Sequence, residues 1–432
     1  MARPKLSISC HCGAAKQTVC LQNPVSGTPQ DIDLCHCSAC RHNTGLLCVS
    51  YAGIERPDSV AGLLEYRTTE NTTRFFCQNC GCQVFRRHQN HEESSLATAK
   101  DTQGWDVATG VIIGLNPGNE NPTEERDDEI LLRYARHINT ASTKDGGLSP
   151  AIRRVVGSQD LEVTPSSPRP TEVKPEKLKF GEDTGDFLRD NRDGRGGNDQ
   201  VLNAFCHCGS VHFHITRPDA ASRLPRSNFP DLMVAYHTGS AQIQNPEDVK
   251  WWLRPGKGLC STSEAAPSLE GVELDRYLAG TCACRSCRLA SGFEIQTWAF
   301  VPRANIFFRV ENSNRGLSIL DSGAEVVPLD FATLPSNILT SYESSHGVRR
   351  EFCSRCGATV FWRDRWRPEL IDVSVGLLDS EGARAETWLD WWTERVSFAE
   401  DATLDRAGET ARRAQCLVAS LGDGLRKLGE KQ

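Results

Sequence analysis

Cysteine is the residue type whose spacing in this sequence most directly indicates chemistry. The chain holds 19 cysteines among 432 residues, and most of them fall into two sets with one internal pattern, CxCG, then CxCxxCR, then CxxCG. The first set is Cys10 and Cys12, then Cys35, Cys37 and Cys40, then Cys77 and Cys80. The second set is Cys206 and Cys208, then Cys282, Cys284 and Cys287, then Cys353 and Cys356.

Cysteine pairs on tight turns are typical metal ligands, because two thiolates then reach one ion and a following glycine permits the turn. Zinc takes four ligands in a closed structural site and three protein ligands in a site that binds water or substrate. The seven cysteines of each set therefore divide into four and three. The predicted closed sites are Cys10, Cys12, Cys77, Cys80 and Cys206, Cys208, Cys353, Cys356.

The remaining triplets are predicted to be open, catalytic zinc sites, because a CxCxxC can hold a metal on a single loop. They are Cys35, Cys37, Cys40 and Cys282, Cys284, Cys287, and their fourth position is free for water or a substrate thiol. This division predicts two zinc ions per domain and four per chain. The alternative is that all seven cysteines hold structural metal, with a fourth ligand elsewhere.

The other cysteines have no counterpart between the sets: Cys20, Cys48, Cys82, Cys260 and Cys416. Cys48 is a candidate fourth ligand, but the corresponding position in the second set is Ile295. An unmatched cysteine is more often a buried apolar thiol. A disulfide framework is also possible, but the duplicated odd count argues against it. We interpret these five as ordinary thiols.

Arginine and histidine side chains lie next to the cysteines in both sets. Arg41 and Arg288 directly follow the triplets, where a guanidinium would bind a substrate carboxylate, lower the thiol pKa, or instead donate to a backbone carbonyl. His11 and His207 lie between two ligands, which favours a structural or solvent role. His36 corresponds to Ala283 and His137 has no ligand partner in spacing, so neither is predicted to bind metal.

The elements that position these residues are also duplicated. Matched positions outside the cysteines are Gly45 and Gly292, Tyr66 and Tyr342, Arg74 and Arg350, Phe76 and Phe352, and Gly110 and Gly376. Alternating apolar residues predict strands, with hairpins that turn at 70–71 and 346–347. Helical periodicity is scarce. The second copy is longer between its motifs, and we expect its insertions to form surface loops.

The predicted architecture is mainly β, with two zinc-binding domains in tandem. Domain 1 spans 1–157, a disordered linker with charged residues and prolines spans 158–200, and domain 2 with its insertions spans 201–402. Residues 403–432 form a tail. Leu417, Leu421, Leu425 and Leu428 fall at helical spacing there, which fits a short amphipathic helix and a frayed tail equally well.

Composition limits the partners and the compartment. The net charge of -7 and pI of about 5.9 disfavour binding to nucleic acid or to an anionic membrane. The chain lacks an apolar run long enough to cross a membrane, and its first residues lack the pattern of a signal peptide. Thiols stay reduced in the cytosol, so we expect a cytoplasmic protein, with the nucleus as the other option.

The combined pattern resembles the glutathione-dependent formaldehyde-activating (GFA) family, which includes centromere protein V. The resemblance covers about 1–155 and 201–400. Copy one also has His137-Ile138 and the segment 143–149, which look like the C-terminal part of the family pattern. Copy two has Trp388, Trp391-Trp392 and the segment 395–398 instead.

The resemblance implies a β-tent fold, a structural zinc held by the outer motifs and a catalytic zinc held by CxCxxC. It also implies a carbon–sulfur lyase that forms or cleaves S-hydroxymethylglutathione, with glutathione or a similar small thiol as substrate. The alternative is a non-catalytic zinc module that binds other macromolecules. The intact triplets in both copies favour the enzyme. The sequence leaves the oligomeric state and the physiological substrate open.

Overall fold

The computed structural model describes residues 4–22, 28–89, 103–115, 130–155, 160–166, 200–256, 274–311 and 324–430. The elements of the first copy are β1 (Lys5–Ile8), β2 (Gln17–Cys20), β3 (Gln30–Cys35), α1 (Ser38–Thr44), β4 (Val49–Ile54), β5 (Leu63–Thr69), β6 (Thr72–Cys77), β7 (Gln83–Gln89), β8 (Gln103–Ala108), β9 (Ile112–Leu115), β10 (Leu132–Ile138) and β11 (Glu162–Thr164). They form a small sheet of order β2-β1-β9 and a large sheet of order β11-β10-β3-β4-β8-β7-β6-β5.

The second copy repeats this plan. Its elements are β12 (Val201–Phe205), β13 (His212–Thr216), β14 (Leu253–Pro255), β15 (Leu274–Cys282), α2 (Arg285–Ser291), β16 (Gln296–Pro302), β17 (Ile306–Glu311), β18 (Ala324–Pro328), β19 (Leu339–Ser345), β20 (Val348–Cys353), β21 (Thr359–Asp364), β22 (Leu370–Ser374) and β23 (Leu389–Trp391), followed by α3 (Gly408–Gly429). The sheets run β12-β13-β17-β18 and β14-β15-β16-β22-β21-β20-β19, and β23 pairs with β15.

The duplication predicted from the cysteines is therefore a duplication of strand order. The run β3-β4-β8-β7-β6-β5 corresponds to β15-β16-β22-β21-β20-β19. The mainly β prediction is confirmed. Both predicted hairpins are present, because Thr69 pairs with Thr72 and Ser345 pairs with Val348, which leaves two residues in each turn.

The two insertions of the second copy have different fates. Part of the second insertion forms β17 and β18, and β17 pairs with β13 to widen the small sheet. Residues 217–252 of the first insertion form turns and short 3₁₀ segments, and several of them line a cavity described below. The expectation of plain surface loops therefore needs correction for both segments.

The two copies contact one another through reciprocal backbone hydrogen bonds. Gly110 N donates to Gly292 O at 2.9 Å, and the counterpart Gly376 N donates to Gly45 O at 3.0 Å. His11 N likewise donates to the carbonyl of residue 289, two positions after the last cysteine of the copy-two triplet, at 3.0 Å. The same patch thus serves both partners, as in a two-fold dimer, although here one chain supplies both halves.

The interface explains why Gly45 and Gly292 match. Both are left-handed, with φ of 80° and 92°, and each ends the short helix after a triplet. A Cβ at Gly292 would also overlap the carbonyl oxygen of Gln83, and one at Gly45 would overlap that of Thr359. Glycine is required at these positions by the backbone conformation and by the approach of the other copy.

The predicted disordered linker, 158–200, falls mostly outside the described residues. Within it, Glu162–Thr164 form β11, which pairs in parallel with β10 of the first copy. The assignment of these residues to a disordered linker is therefore wrong, because the backbone of β10 offers them an edge with which to pair.

The tail is ordered as α3, which has 22 residues. Its apolar stripe at Leu417, Leu421 and Leu425 is buried. The helix packs against β9 of the first copy, and Gly424 lies close to the carbonyl of Ala151. None of the helices in the described part of the chain combines the length and apolar character needed to span a membrane.

Candidate metal centres

The predicted four-cysteine groups are each brought together by the small sheet and the hairpin of the large sheet. In copy one, the sulfur of Cys12 lies 3.5 Å from that of Cys10 and 3.5 Å from that of Cys77. Cys80 completes the group, whose sulfurs all lie within 4.8 Å of one another. A tetrahedral zinc with Zn–S of about 2.3 Å needs sulfurs about 3.8 Å apart. The spacing therefore fits a tetrathiolate site.

The second closed group repeats this geometry. The sulfur of Cys208 lies 3.4 Å from that of Cys206 and 3.5 Å from that of Cys353, and Cys356 is the fourth member. Backbone amides face the sulfurs in both copies, since Ala15 N and Val211 N donate to the first cysteine of each group at 3.4 Å. Such donors stabilise thiolate charge.

The predicted triplets are also brought together, but not on a single loop. Cys282 ends β15, Cys284 caps α2 and Cys287 lies in its first turn, where its amide donates to Cys284 Sγ at 3.2 Å. Residues 35, 37 and 40 have the same arrangement around β3 and α1. The single-loop prediction is therefore wrong. The three sulfurs of each triplet lie within 4.8 Å of one another.

An arginine from the large sheet supports each triplet. Arg74 Nη2 donates to Cys40 Sγ at 3.0 Å, and Arg350 Nη1 and Nη2 each donate to Cys287 Sγ at 3.5 Å. The pKa of Cys40 lies well below its usual value because the thiols of Cys35 and Cys37 hydrogen-bond to its sulfur. The charge of the arginine adds to this effect. The pKa of Cys287 is lowered in the same way.

Arg74 and Arg350 match between the copies in sequence, but no role was predicted for them. The signal that could have found them was the repeat, because a basic residue kept in both copies just before the CxxC lies on the strand that reaches the triplet. Strand β6 carries Arg74 and strand β20 carries Arg350.

No fourth His, Cys, Asp or Glu joins either triplet among the residues that the structure describes. Cys48 is buried in the main apolar cluster. The strand register confirms the sequence match. Val49 pairs with Cys35 in copy one and Gln296 pairs with Cys282 in copy two, so the preceding residues, Cys48 and Ile295, occupy equivalent positions. Of the other unmatched thiols, Cys260 lies outside the described residues.

His36 and His137 form a pair that the sequence did not reveal. His36 Nε2 and His137 Nδ1 are hydrogen-bonded at 2.8 Å, and His137 Nε2 lies 2.6 Å from the carbonyl oxygen of Ile152. Burial lowers the pKa of His36 to about 3 and that of His137 to about 4. Both rings are therefore neutral near pH 7, and they tie β3 and β10 to the following segment.

His11 and His207 connect the two copies. His11 Nδ1 lies 2.8 Å from the hydroxyl of Tyr342, and His207 Nδ1 lies 2.7 Å from that of Tyr66. His11 Nε2 also lies 3.0 Å from the hydroxyl of Ser286, inside the copy-two triplet motif. Each histidine between two ligands of one copy thus reaches across the interface toward the open site of the other copy.

Arg41 and Arg288, predicted to contact substrate, are both buried. Arg288 Nη1 donates to the carbonyl of Gly110 at 2.6 Å and Nη2 donates to that of Leu404 at 2.8 Å. These are contacts to backbone carbonyls, one of the alternatives predicted for these arginines. A substrate contact by either arginine remains a prediction.

The walls of the two open sites differ at corresponding positions. Tyr51 pairs with Ala108 and Trp298 pairs with Ser374, and both partners lie two residues before the interface glycine, so Tyr51 and Trp298 correspond. The Tyr51 hydroxyl accepts a hydrogen bond from Arg74 at 2.6 Å. Each ring packs in an apolar cluster with the cysteines of its own triplet, but Trp298 has no hydroxyl to accept such a bond.

The second position is Arg86 in copy one and Trp362 in copy two. Arg86 forms an ion pair with Asp106 at 2.8 Å, and its guanidinium lies 4.4 Å from the ring centre of Tyr51. Trp362 is part of the apolar cluster around the copy-two triplet. A charged wall in one copy thus corresponds to an aromatic wall in the other.

The third position is Asn139 in copy one and Phe398 in copy two. His36 N donates to Ile138 O at 3.1 Å and Ala283 N donates to Ser397 O at 2.9 Å, so the residue after each acceptor corresponds. Both residues are left-handed, with φ of 60° and 51°. The segment 395–398 therefore follows the backbone path of 136–139 with different side chains. Asn139 Nδ2 donates to Cys35 Sγ at 3.3 Å.

The copy-two triplet opens into a cavity of about 980 Å³. All three cysteines line it, together with Arg350, Trp362 and residues of the 217–252 insertion. Pockets of about 300–1,000 Å³ with apolar walls and a few polar groups are typical small-molecule sites. Of the adjacent Trp251 and Trp252 in this insertion, Trp251 lines the cavity and Trp252 is fully buried.

Comparison with protein families gave one match. Residues 5–103 and 330–395 match the model described as Glutathione-dependent formaldehyde-activating enzyme, GFA. The first segment contains the whole cysteine pattern of copy one, and the second contains Cys353 and Cys356. The resemblance predicted from the motifs is confirmed. Comparison with curated proteins and with solved structures gave no match.

Proposed function

We propose that this chain, a two-part protein of the GFA type, is a zinc-dependent carbon–sulfur lyase. Its substrates would be small thiol adducts such as S-hydroxymethylglutathione. The observation that carries the proposal is the difference between the two kinds of cysteine group. Four cysteines converge at the closed groups, whereas three converge at each triplet. In copy two that triplet faces a cavity large enough for a small molecule.

The triplets would hold the metal through residues 35, 37, 40 and 282, 284, 287. Zinc bound there would keep an added thiol deprotonated near neutral pH. In the forward reaction the thiol sulfur bonds to the aldehyde carbon, and the thiol proton ends on the carbonyl oxygen. The reverse reaction breaks the carbon–sulfur bond and returns the proton to sulfur, so the reaction needs no oxidant or reductant.

The chain's own residues contribute charge control and water exclusion. Arg74 and Arg350 place a cation beside one cysteine of each triplet, which offsets part of the negative charge of three thiolates. In copy one the amide of Asn139 donates to a second cysteine. The triplet cysteines are nearly all buried, so a bound thiol would be shielded from bulk water on the protein side.

Every cysteine in the described residues is a free thiol. Free thiols at this number suit a reducing compartment, and we propose a cytoplasmic location on that basis. We also propose zinc as the metal, because tetrathiolate groups with this spacing are typical of zinc.

Metal stoichiometry tests the proposal most directly. We expect four zinc ions per purified chain, three in Cys35→Ala/Cys40→Ala and three in Cys282→Ala/Cys287→Ala. Cys416→Ala is the matched control, since this half-buried thiol belongs to none of the four groups, and it should keep four.

Activity should follow the triplets. Exchange NMR of glutathione with formaldehyde measures the formation of the adduct above its spontaneous rate. We expect acceleration by the wild type and by Cys416→Ala, and loss of acceleration when both triplets are altered in a folded chain. Two zinc ions in the wild type, or no acceleration with four, would favour a non-catalytic zinc module.

A further inference from the structure

The cavity at the copy-two triplet has several aromatic side chains in its lining, among polar and charged ones. Its aromatic lining includes Tyr236, Trp298, Phe300, Trp362, Trp366 and Phe398. Three of these correspond to residues of copy one that carry polar groups: Trp298 to Tyr51, Trp362 to Arg86 and Phe398 to Asn139. The cysteines and the supporting arginine are the same in both copies, so the difference lies in what each site can hold beside the metal.

Phe398 is held in place by the inserted segment. A bulky residue in the left-handed region is strained, and such strain persists where neighbouring structure enforces it, often at ligand sites. Phe398 N donates to Asp231 Oδ2 at 2.6 Å, and Tyr236 N donates to Asp231 Oδ1 at 2.8 Å. The rings of Phe398 and Tyr236 then meet edge to face at 5.7 Å.

Asp231 is itself 2% exposed, and the hydroxyl of Ser397 also donates to it, at 3.1 Å. A buried carboxylate with several donors is a fixed structural point, since leaving it unpaired would be costly. The insertion therefore positions two aromatic side chains at the cavity through one aspartate. The corresponding stretch of copy one is far shorter.

Charges at the cavity are largely paired within the protein. Arg367 forms an ion pair with Asp372 at 2.8 Å, and Arg226 lies 3.3 Å from Asp248. Arg350 is bonded to the cysteine sulfur. The lining thus offers π faces and few charges that need a ligand partner, which favours an aromatic group over a charged one.

We infer that the Cys282–Cys284–Cys287 site takes a thiol that carries an aromatic ring, or the adduct of that thiol with an aldehyde. The ring lies among Trp298, Trp362 and Phe398. The triplet of copy one, with Tyr51, Arg86 and Asn139 around it, takes small polar thiols. This inference rests on the proposed function, because it assumes that a thiol binds at the triplet.

The test uses the full, zinc-loaded chain with Cys35→Ala/Cys40→Ala, so that only the copy-two triplet is intact. Calorimetry and tryptophan fluorescence compare benzyl mercaptan with 2-mercaptoethanol. We expect benzyl mercaptan to bind at least about tenfold more tightly, the gain typical of a well-placed aromatic contact. Benzyl alcohol, which has the ring without the thiol, is the third probe.

Exchanging wall residues tests the cause. Trp362→Arg and Phe398→Asn install the copy-one residues, and each should reduce the preference to about threefold or less. Trp298→Tyr is a milder substitution, suitable if either of these fails to fold. Trp391→Phe is the matched control, because this half-buried tryptophan is bonded to the carbonyl of Arg384 and is not among the cavity residues; it should keep the preference.

Equal affinity for the two thiols, or a preference unchanged by Trp362→Arg and Phe398→Asn, would overturn the inference. Tight binding of 2-mercaptoethanol without any gain from the ring would overturn it while leaving the proposed function intact. Benzyl alcohol that binds as tightly as benzyl mercaptan, with Trp362→Arg weakening both, would support the aromatic site and contradict thiol binding at the triplet.

Discussion

The two open cysteine sites have a common frame and different walls. Each has a strand end, a capping cysteine and a cysteine in the first helical turn, and each has one arginine donating to that last cysteine. Around this frame copy one places a tyrosine, an arginine and an asparagine, whereas copy two places two tryptophans and a phenylalanine. Duplication thus kept the groups that could hold a metal and changed those that would contact a ligand.

A second difference lies below the walls, at corresponding carboxylates. Burial raises the pKa of Asp106, but Arg86 and His88 outweigh it and lower that pKa to about 2. Burial raises the pKa of Asp372 to about 7, against the charge of Arg367. Arg86, which pairs with Asp106 in copy one, is replaced by Trp362 in copy two. There Arg367, further along the chain, supplies the positive charge beside Asp372. The same carboxylate therefore has a different protonation range in each copy.

The largest expected effect comes from the closed sites, which both copies share. Cys77→Ala and Cys353→Ala should each lose one zinc and destabilise the chain by about 3 kcal/mol or more, since structural metal binding is coupled to folding. Thermal melts with metal analysis measure this, and Cys20→Ala is the control. A large effect from only one of the two would show that the closed sites are not equivalent.

The next effect tests the reciprocal interface. Gly292→Ala and Gly45→Ala should each lower the free energy of unfolding in urea by about 2–4 kcal/mol. An alanine there would have a left-handed backbone, and its Cβ would overlap a carbonyl oxygen of the other copy. Gly62→Ala is the matched control, with φ of 76° and no atom within 4 Å of the added Cβ. It should cost only about 1 kcal/mol. Equal costs at all three positions would contradict a tight interface.

A smaller effect is expected from the arginines of the common frame. Arg74→Met and Arg350→Met remove the donor to a triplet sulfur, and each should weaken zinc binding at its own triplet by about 10–100-fold. Chelator competition measures this, with Arg303→Met as the control, since that arginine forms an exposed pair with Glu369. A change at the other copy's triplet would mean that the two frames are coupled through the interface.

The smallest effect is in the pH dependence of stability. Asp372 has a folded pKa above its unfolded value of about 4, so its contribution to stability falls as the pH rises from about 4 to 7. Asp106 is shifted the other way, and its contribution is lost only as the pH falls from about 4 to 2. The free energy of unfolding of the wild type should therefore decline with pH between about pH 5.5 and 7, by at most about 1.4 kcal/mol per pH unit from this group. Asp372→Asn should remove that decline.

Asp106→Asn should leave the slope in that range unchanged. Urea unfolding of both variants between pH 5.5 and 8 measures the difference. Equal slopes in the two variants would show that the corresponding carboxylates titrate alike.

Much of the site could be predicted from sequence because cysteine ligands are close in the chain or fixed by a repeat. The pairing of CxCG with the distant CxxCG followed from counting to four, and the structure brings those cysteines together. The helical setting of the triplets was missed, because a seven-residue helix such as α1 is too short to show periodicity. The His36–His137 pair was missed because His36, directly after β3, and His137, on β10, are about a hundred residues apart in the chain.

The sequence by itself determined which thiols form a group, since metal valence and spacing constrain the ligands locally. It also determined that the chain is a duplicated, mainly β protein. Only the tertiary structure decided what surrounds each group. The walls at Arg86 and Trp362, and the contact of His11 with Tyr342, depend on strand register and on the packing of one copy against the other. Those are long-range properties, and no local pattern encodes them.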